Sequence, residues 1–254
     1  MYTATRTRPG AIALVGSGEY LPQMSEIDRF LLGTLGASPA RVALLPTASG
    51  LELGMPERWN TMGVEHFGAL GADVTPVALI NLADAQHQQV VAALSGADLY
   101  YFSGGNPEHL IETLRDTPAW QAIYSGYCHG AVLAGCSAGA MMLGSYTLSI
   151  RSVIGGAAPR WVPAMGVVPG IAVMPHFDRV ADFAGQEMFR AIVASAPENA
   201  VLIGVDEDTA LVRAVFDGEA ASWRVLGRQT VSVFDGDGRR AIYRAGDRVP
   251  VEQK

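Results

Sequence analysis

Short, continuously apolar runs alternate with longer amphipathic ones through the first 140 residues, and this alternation restricts the fold more than any other feature. The apolar runs fall at 11–15, 41–46, 73–79, 98–102 and 131–135. Between them, apolar residues recur with helical spacing at 25–35, 56–70, 84–94, 107–115 and 118–127. A strand that is apolar at every position has no face for solvent, so its sheet must be covered on both sides. Strands separated by helices make such a sheet parallel. With 254 residues, 49% of them hydrophobic, the chain can bury a large core, and it reads as one α/β domain spanning 1–254.

Beyond Ser137 the pattern changes. Strand-like segments fall at 147–154 and 170–174, a helix near 179–196, and five short runs at 201–206, 210–216, 221–225, 230–234 and 240–244. Asp-Gly pairs such as Asp217-Gly218 suit tight hairpin turns. The tail therefore reads as an antiparallel portion of a three-layer, mainly parallel sheet flanked by helices.

Composition removes several function classes. Net charge is −7 and Arg239-Arg240 lies beside Asp235 and Asp237, so no basic stripe suits nucleic acid. Cys128 and Cys136 are the only cysteines, which leaves no disulfide framework and no metal-ligand spacing, and no cofactor motif stands out. The polar, basic stretch Met1 to Gly10 has no apolar signal core, so a cytoplasmic location is expected. Between Asp116 and His176 the formal charges are Arg151 and Arg160 alone, but Gly, Ser and Pro interrupt the stretch. It reads as globular interior, because a membrane span needs about 20 continuous apolar residues.

The chemistry centres on Gly135-Cys136-Ser137-Ala138-Gly139, a G-x-S-x-G sequence between the strand run at 131–135 and a small-residue helix start at 138–143. A sharp strand-to-helix turn there lifts a serine Oγ out of the backbone, and the helix N-terminus offers N–H donors to a developing oxyanion. A serine nucleophile needs a base within hydrogen-bond reach. His66, His87 and His109 fall inside helical patterns with polar flanks and read as solvated or capping residues. His129 lies at the far end of the strand leading to Ser137. His176 ends the apolar run at 171–175, which puts it at a strand's C-terminal end, the edge where Ser137 also sits.

The orienting acid is narrowed by an absence. No aspartate or glutamate stands between Ser137 and His176, which excludes the Ser, acid, His chain order of α/β-hydrolases. Downstream, the apolar run at 201–205 ends in Asp206-Glu207-Asp208, and any of the three suits the role. Glu19, in Gly-Ser-Gly-Glu after the first strand, is a further candidate for the same cleft. Cys136 as a glutaminase-type nucleophile is disfavoured, being one residue off the elbow position. A non-catalytic scaffold and a small-ester hydrolase are the remaining rivals.

Four short motifs together resemble one family. Gly-Cys-Ser-Ala-Gly-Ala (135–140), Phe-Ser-Gly-Gly-Asn (102–106), Pro-His-Phe (175–177) and Gly-Val-Asp-Glu (204–207) are similar, in that order, to motifs of the serine peptidases typified by aspartyl dipeptidase and cyanophycinase. The resemblance covers roughly residues 10 to 235 and implies a fold like that of class I glutamine amidotransferases. It implies Ser137 as nucleophile, His176 as base and Glu207 as orienting acid. The oxyanion donors would be the N–H of Ala138 and one from Gly104 or Gly105, with Asn106 and Arg179 beside the substrate. It also implies a small peptide substrate, Asp-X or aspartyl-derived. The chain departs from the family's specificity residues. Arg190 stands 14 residues past His176, but aligning on Gly185 puts Met188 at the aspartate-binding position, and after Arg179 the chain reads Val-Ala-Asp-Phe-Ala. Edge strands in the tail leave a homodimer open.

Overall fold

The computed structural model describes residues 8–155, 157–180, 182, 185–235 and 238–251. The segment before Arg8, Asp237, and residues 181, 183 and 184 beyond Arg179 lie outside them. The strands after Leu143 divide between two sheets, a partition the sequence pattern does not reveal. The first sheet holds β1 (Ile12–Val15), β2 (Arg41–Leu45), β3 (Asp73–Pro76), β4 (Leu99–Phe102), β5 (Val132–Cys136), β10 (Thr209–Ala214) and β11 (Ser222–Gly227), in the order β11-β10-β1-β5-β4-β2-β3. Its β1, β5, β4, β2 and β3 run parallel, while β10 and β11 form the expected antiparallel edge.

The second sheet has the order β13-β12-β9-β8-β6-β7. It comprises β6 (Tyr146–Leu148), β7 (Trp161–Pro163), β8 (Ile171–Met174), β9 (Val201–Val205), β12 (Thr230–Phe234) and β13 (Arg240–Arg244). Strand β9 is parallel to β8, β8 is parallel to β6, and the outer pairs are antiparallel. The segment at 147–154 is not one strand, because the chain turns after Leu148 into α8 (Ile150–Ile154).

Alternation of side chains across the first sheet explains its unbroken apolar strands. Ile12, Leu14, Tyr100, Phe102 and Leu133 face one core, and Ala13, Val15, Leu99, Tyr101, Val132 and Ala134 the other. Helices α1 (Ser25–Gly33) and α2 (Met55–Ala69) cover the second of these faces. On the opposite face lie α3 (Leu82–Gln86), α4 (Gln88–Leu94), α5 (Pro107–Leu114), α6 (Pro118–Cys128) and α7 (Ala138–Leu143), together with Ile171, Val173, Ile203 and Val205 from the second sheet. A third core packs α9 (Gln186–Ala194) on that second sheet's outer face, around Met174, Phe177, Leu202 and Phe234. The two sheets thus share a core, and their parallel strands end close together.

Local chemistry sets the element boundaries. Asn106 and Thr117 cap α5 and α6 through their side-chain oxygens, each with proline at the first helical position. The pattern at 84–94 is two helices, because His87 adopts extended backbone angles and starts a second helix. In the β10–β11 connection, Asp217 and Gly218 both have positive φ, 54° and 77°, as a type I′ turn requires. Among the described residues, no helix is long and apolar enough to cross a membrane.

One histidine expectation is overturned. His66 is nearly enclosed, its Nε2 lying 2.8 Å from Oδ2 of the fully buried Asp28. Glu65 before it is polar, but Phe67 after it is buried, and Asp28 of α1 reaches the same side of α2. Burial raises the Asp28 carboxyl above its usual range, and His66 acts to lower it.

Candidate active site

Five parallel strands deliver the candidate residues. Glu19 follows β1, Gly104 follows β4 and Ser137 follows β5, while His176 follows β8 and Glu207 follows β9. The C-terminal ends of parallel strands, where the chain leaves the sheet, are where open α/β folds bind ligands.

The turn at Ser137 is tight because helix α7 lies directly on the strand that feeds it. A Cβ on Gly135 would stand 2.3 Å from the carbonyl of Gly139, and one on Gly139 would stand 2.6 Å from the Phe102 oxygen. Only hydrogen fits at either place. Ser137 itself has φ 51° and ψ −111°, a conformation L-residues rarely adopt, held by its N–H to the Val15 carbonyl at 3.0 Å and by Met141 N–H to its own carbonyl at 3.0 Å. Strain of this kind costs about 1–3 kcal/mol and persists only where the surroundings impose it.

His176 Nε2 lies 3.1 Å from Ser137 Oγ, and its Nδ1 lies 2.8 Å from Glu207 Oε1. The histidine is positioned by main chain from both sheets. Its N–H reaches the Gly16 carbonyl at 3.3 Å and the next N–H, of Phe177, reaches the Val205 carbonyl at 3.1 Å. Glu207 is steadied by its own N–H donating to Asp178 Oδ1 at 2.9 Å. Gln229 donates to the Glu207 carbonyl at 3.0 Å and to Asp178 Oδ2 at 3.3 Å. The acids left open by sequence are separated here. Asp206 accepts from the backbone and hydroxyl of Thr230, at 3.0 and 2.6 Å, and Asp208 accepts from Gln23 at 3.1 Å.

The residues expected beside the substrate fare differently. Ala138 is the first residue of α7, where helical N–H groups have no partner within the helix. Gly104 lies close to the serine, since a Cβ there would be 3.4 Å from Ser137 Cβ. Its N–H donates to Glu19 Oε1 at 2.8 Å. Asn106 spends its side-chain oxygen on the cap of α5, accepting from His109 N–H at 3.0 Å. Arg179, half-exposed, stands 3.9 Å from Glu207 Oε2 and 3.7 Å from Asp182 Oδ2. Arg190 lies on α9 at a separate surface cavity beside Val193 and Phe234, while Met188 packs against the third core.

Glu19 does belong to this cleft, and Cys136 does not act as a free thiol in it. Cys136 is buried in the core on the α1–α2 side and donates its S–H to Glu19 Oε2 at 2.9 Å. Burial, with the neighbouring Glu19 charge, pushes its thiol well above the usual cysteine range. The cleft over Ser137 has a volume of about 190 Å³ and is walled by Ser17, Glu19, Glu52, Met55, Trp59, Gly104, Gly105 and His176. Glu52, in the turn before α2, and Met55 and Trp59 on α2 carried no signal in the sequence, because this end of the helix becomes a cleft wall only through packing. Among the described residues no group of three or more His, Cys, Asp or Glu could hold a metal ion.

Comparison with known proteins gives a consistent result. The model of peptidase family S51 matches residues 12–221. A cyanophycinase from Nostoc sp. is 29% identical over 245 residues, covering 91% of this chain and 74% of the relative. One from Synechococcus elongatus is 27% identical over 234 residues, covering 89% and 68%. Among solved structures, a peptidase from an acI-B1 Actinobacterium superposes with a TM-score of 0.83 at 31% identity, covering 96% of this chain and 98% of the other.

Proposed function

The chain belongs to peptidase family S51, and from that premise we propose that it hydrolyses short peptides through Ser137, His176 and Glu207 by way of an acyl-enzyme. Family membership makes it a hydrolase of the serine-peptidase type. The observation that carries the residue assignment is the unbroken hydrogen-bonded series Ser137 Oγ, His176 Nε2, His176 Nδ1, Glu207 Oε1. In the reaction, Ser137 Oγ attacks the scissile carbonyl carbon while His176 Nε2 takes its proton. The C–N bond then breaks, and the same proton passes from His176 to the leaving amine. Water, deprotonated by His176, hydrolyses the ester in the reverse sense. Glu207 holds the imidazole in the tautomer that presents a lone pair to Ser137, and stabilises its cation. The oxyanion is met by Ala138 N–H at the start of α7, with Gly105 in place of the engaged Gly104.

The charge of the cleft supports a restricted substrate class. At about 190 Å³ the cleft is small. Besides His176, the charged side chains lining it are Glu19 and Glu52, both carboxylates. A free acidic side chain at the cleaved residue would be repelled there, so neutral and basic dipeptides should turn over faster than Asp-X. Arg179, at the far side of Glu207, is the cation an aspartyl substrate would need.

The test is covalent. A serine-directed fluorophosphonate should add to wild-type protein at Ser137, located by peptide mass mapping, and a panel of neutral, basic, Asp-X and β-Asp-Arg dipeptides should be cleaved in the order argued. An adduct elsewhere, or cleavage of nitrophenyl esters alone, would remove the peptidase assignment of this site. Glu207→Gln is expected to lower kcat by about 10²- to 10⁴-fold while KM changes little, because a glutamine can stabilise the wrong tautomer and cannot neutralise the imidazolium.

A further inference from the structure

We propose that Glu19 is a positioning residue that fixes the nucleophile turn and the Gly104-Gly105 loop at their working separation, a role that rests on the serine-peptidase reading of Ser137. Glu19 is 6% exposed, and its carboxylate bridges two strand ends. Oε1 accepts from Gly104 N–H at 2.8 Å, at the end of β4, and Oε2 accepts from Cys136 S–H at 2.9 Å, at the end of β5. Because the strand order is β1-β5-β4, a side chain leaving the end of β1 reaches the end of β5 and, across it, the end of β4. The chain can place it there because Gly18 and Tyr20, on either side, both take positive φ, 88° and 64°.

The two donors that Glu19 holds are the groups flanking the reactive serine. Cys136 precedes Ser137, and Gly104 approaches so closely that a Cβ on it would be 3.4 Å from Ser137 Cβ and 3.0 Å from Glu19 Oε1. A carboxylate is suited to this task because it accepts only, and on two oxygens set at a fixed distance. The buried thiol stays protonated and so remains a donor. Both contacts are charge-assisted, which shortens and stiffens them. Glu19 acts on the reaction through these neighbours.

Three variants separate positioning from mere stability, using kcat, KM and the rate of fluorophosphonate addition to Ser137. Glu19→Ala is expected to slow both addition and kcat by about 100-fold, the scale of losing one oxyanion-hole donor, with KM within about threefold of wild type. Glu19→Asp, which keeps the charge but reaches only one donor, should lose about tenfold. Glu19→Gln should recover to within about fivefold of wild type, because its carbonyl takes the Gly104 N–H and its amide faces the weakly accepting Cys136 sulfur. Wild-type rates in Glu19→Asp, or a loss expressed in KM alone, overturn the proposal. If Glu19→Ala does not fold, the ranking of the other two decides it in the same way. Wild-type protein that takes no adduct at Ser137 would instead remove the underlying peptidase reading.

Discussion

Ser137→Ala and His176→Ala will each lower kcat/KM by about 10⁴- to 10⁶-fold, and the double variant will be no slower than either alone. The reason is the sharing of one proton. In the proposed mechanism Ser137 Oγ becomes a nucleophile only as His176 Nε2, 3.1 Å away, removes its hydrogen, so neither group retains its contribution without the other. The residual rate would come from water attacking a carbonyl still polarised by the backbone donors. Steady-state hydrolysis of the best dipeptide measures the effect. Circular dichroism and thermal melting verify that the folds are unchanged, since both substitutions remove atoms from a solvent-facing cleft. Additive losses in the double variant would show that the two side chains work independently.

Gly135→Ala will lower the unfolding free energy by about 3 kcal/mol or more, the upper end of what an extra buried carbon costs. Its new carbon would fall 2.3 Å from the Gly139 carbonyl and 2.8 Å from the Ala140 nitrogen. Those are main-chain atoms of α7, so no rotamer change relieves the clash, and the helix must move off the strand. Such a loss is a large part of the about 5–15 kcal/mol by which most folded proteins are stable. Urea unfolding should show a lower midpoint at an unchanged slope. Activity should fall with it, because α7 carries Ala138 and its first turn anchors Ser137. Gly33→Ala is the matched control: a carbon there meets nothing within 4 Å, and the helical position should gain up to about 1 kcal/mol. An equal loss in both variants would mean that close packing of α7 on β5 is not what matters.

The legible parts of this fold are those governed by local pattern. Strands β1, β2, β4 and β5 are buried along nearly their whole length, and a strand of that kind writes its environment directly into its sequence. The division into two sheets is not written locally, because β8 and β9 are as apolar as β1 and only distant pairing decides which sheet they join. Strand β7 is three residues at a sheet edge ending in proline, too short to leave a periodic signal. At the site, Ser137 and His176 could be read from motif and strand end, and Glu207 only from the family resemblance. Asp206 and Asp208 could not be separated from Glu207 until backbone direction and the partners Thr230 and Gln23 were known. Glu19 was visible as Gly-Ser-Gly-Glu after the first strand, but its hold on Gly104 is a contact across 85 residues that sequence spacing cannot express.

Because the serine stands on one sheet and the histidine and glutamate on the other, the site is assembled in an order set by translation. A ribosome adds Ser137 long before Glu207, and β9, which leads to Glu207, needs β8 beside it before that carboxylate has a fixed place. Strand β1, although made first, keeps one edge open until β10 pairs with it. A nascent chain therefore carries Ser137 without the carboxylate that hydrogen-bonds His176 through some 70 further residues of synthesis. On the proposed assignment, hydrolytic capability arrives only with the last fifth of the polypeptide, and a prematurely terminated fragment ending before Glu207 is a peptidase in outline only.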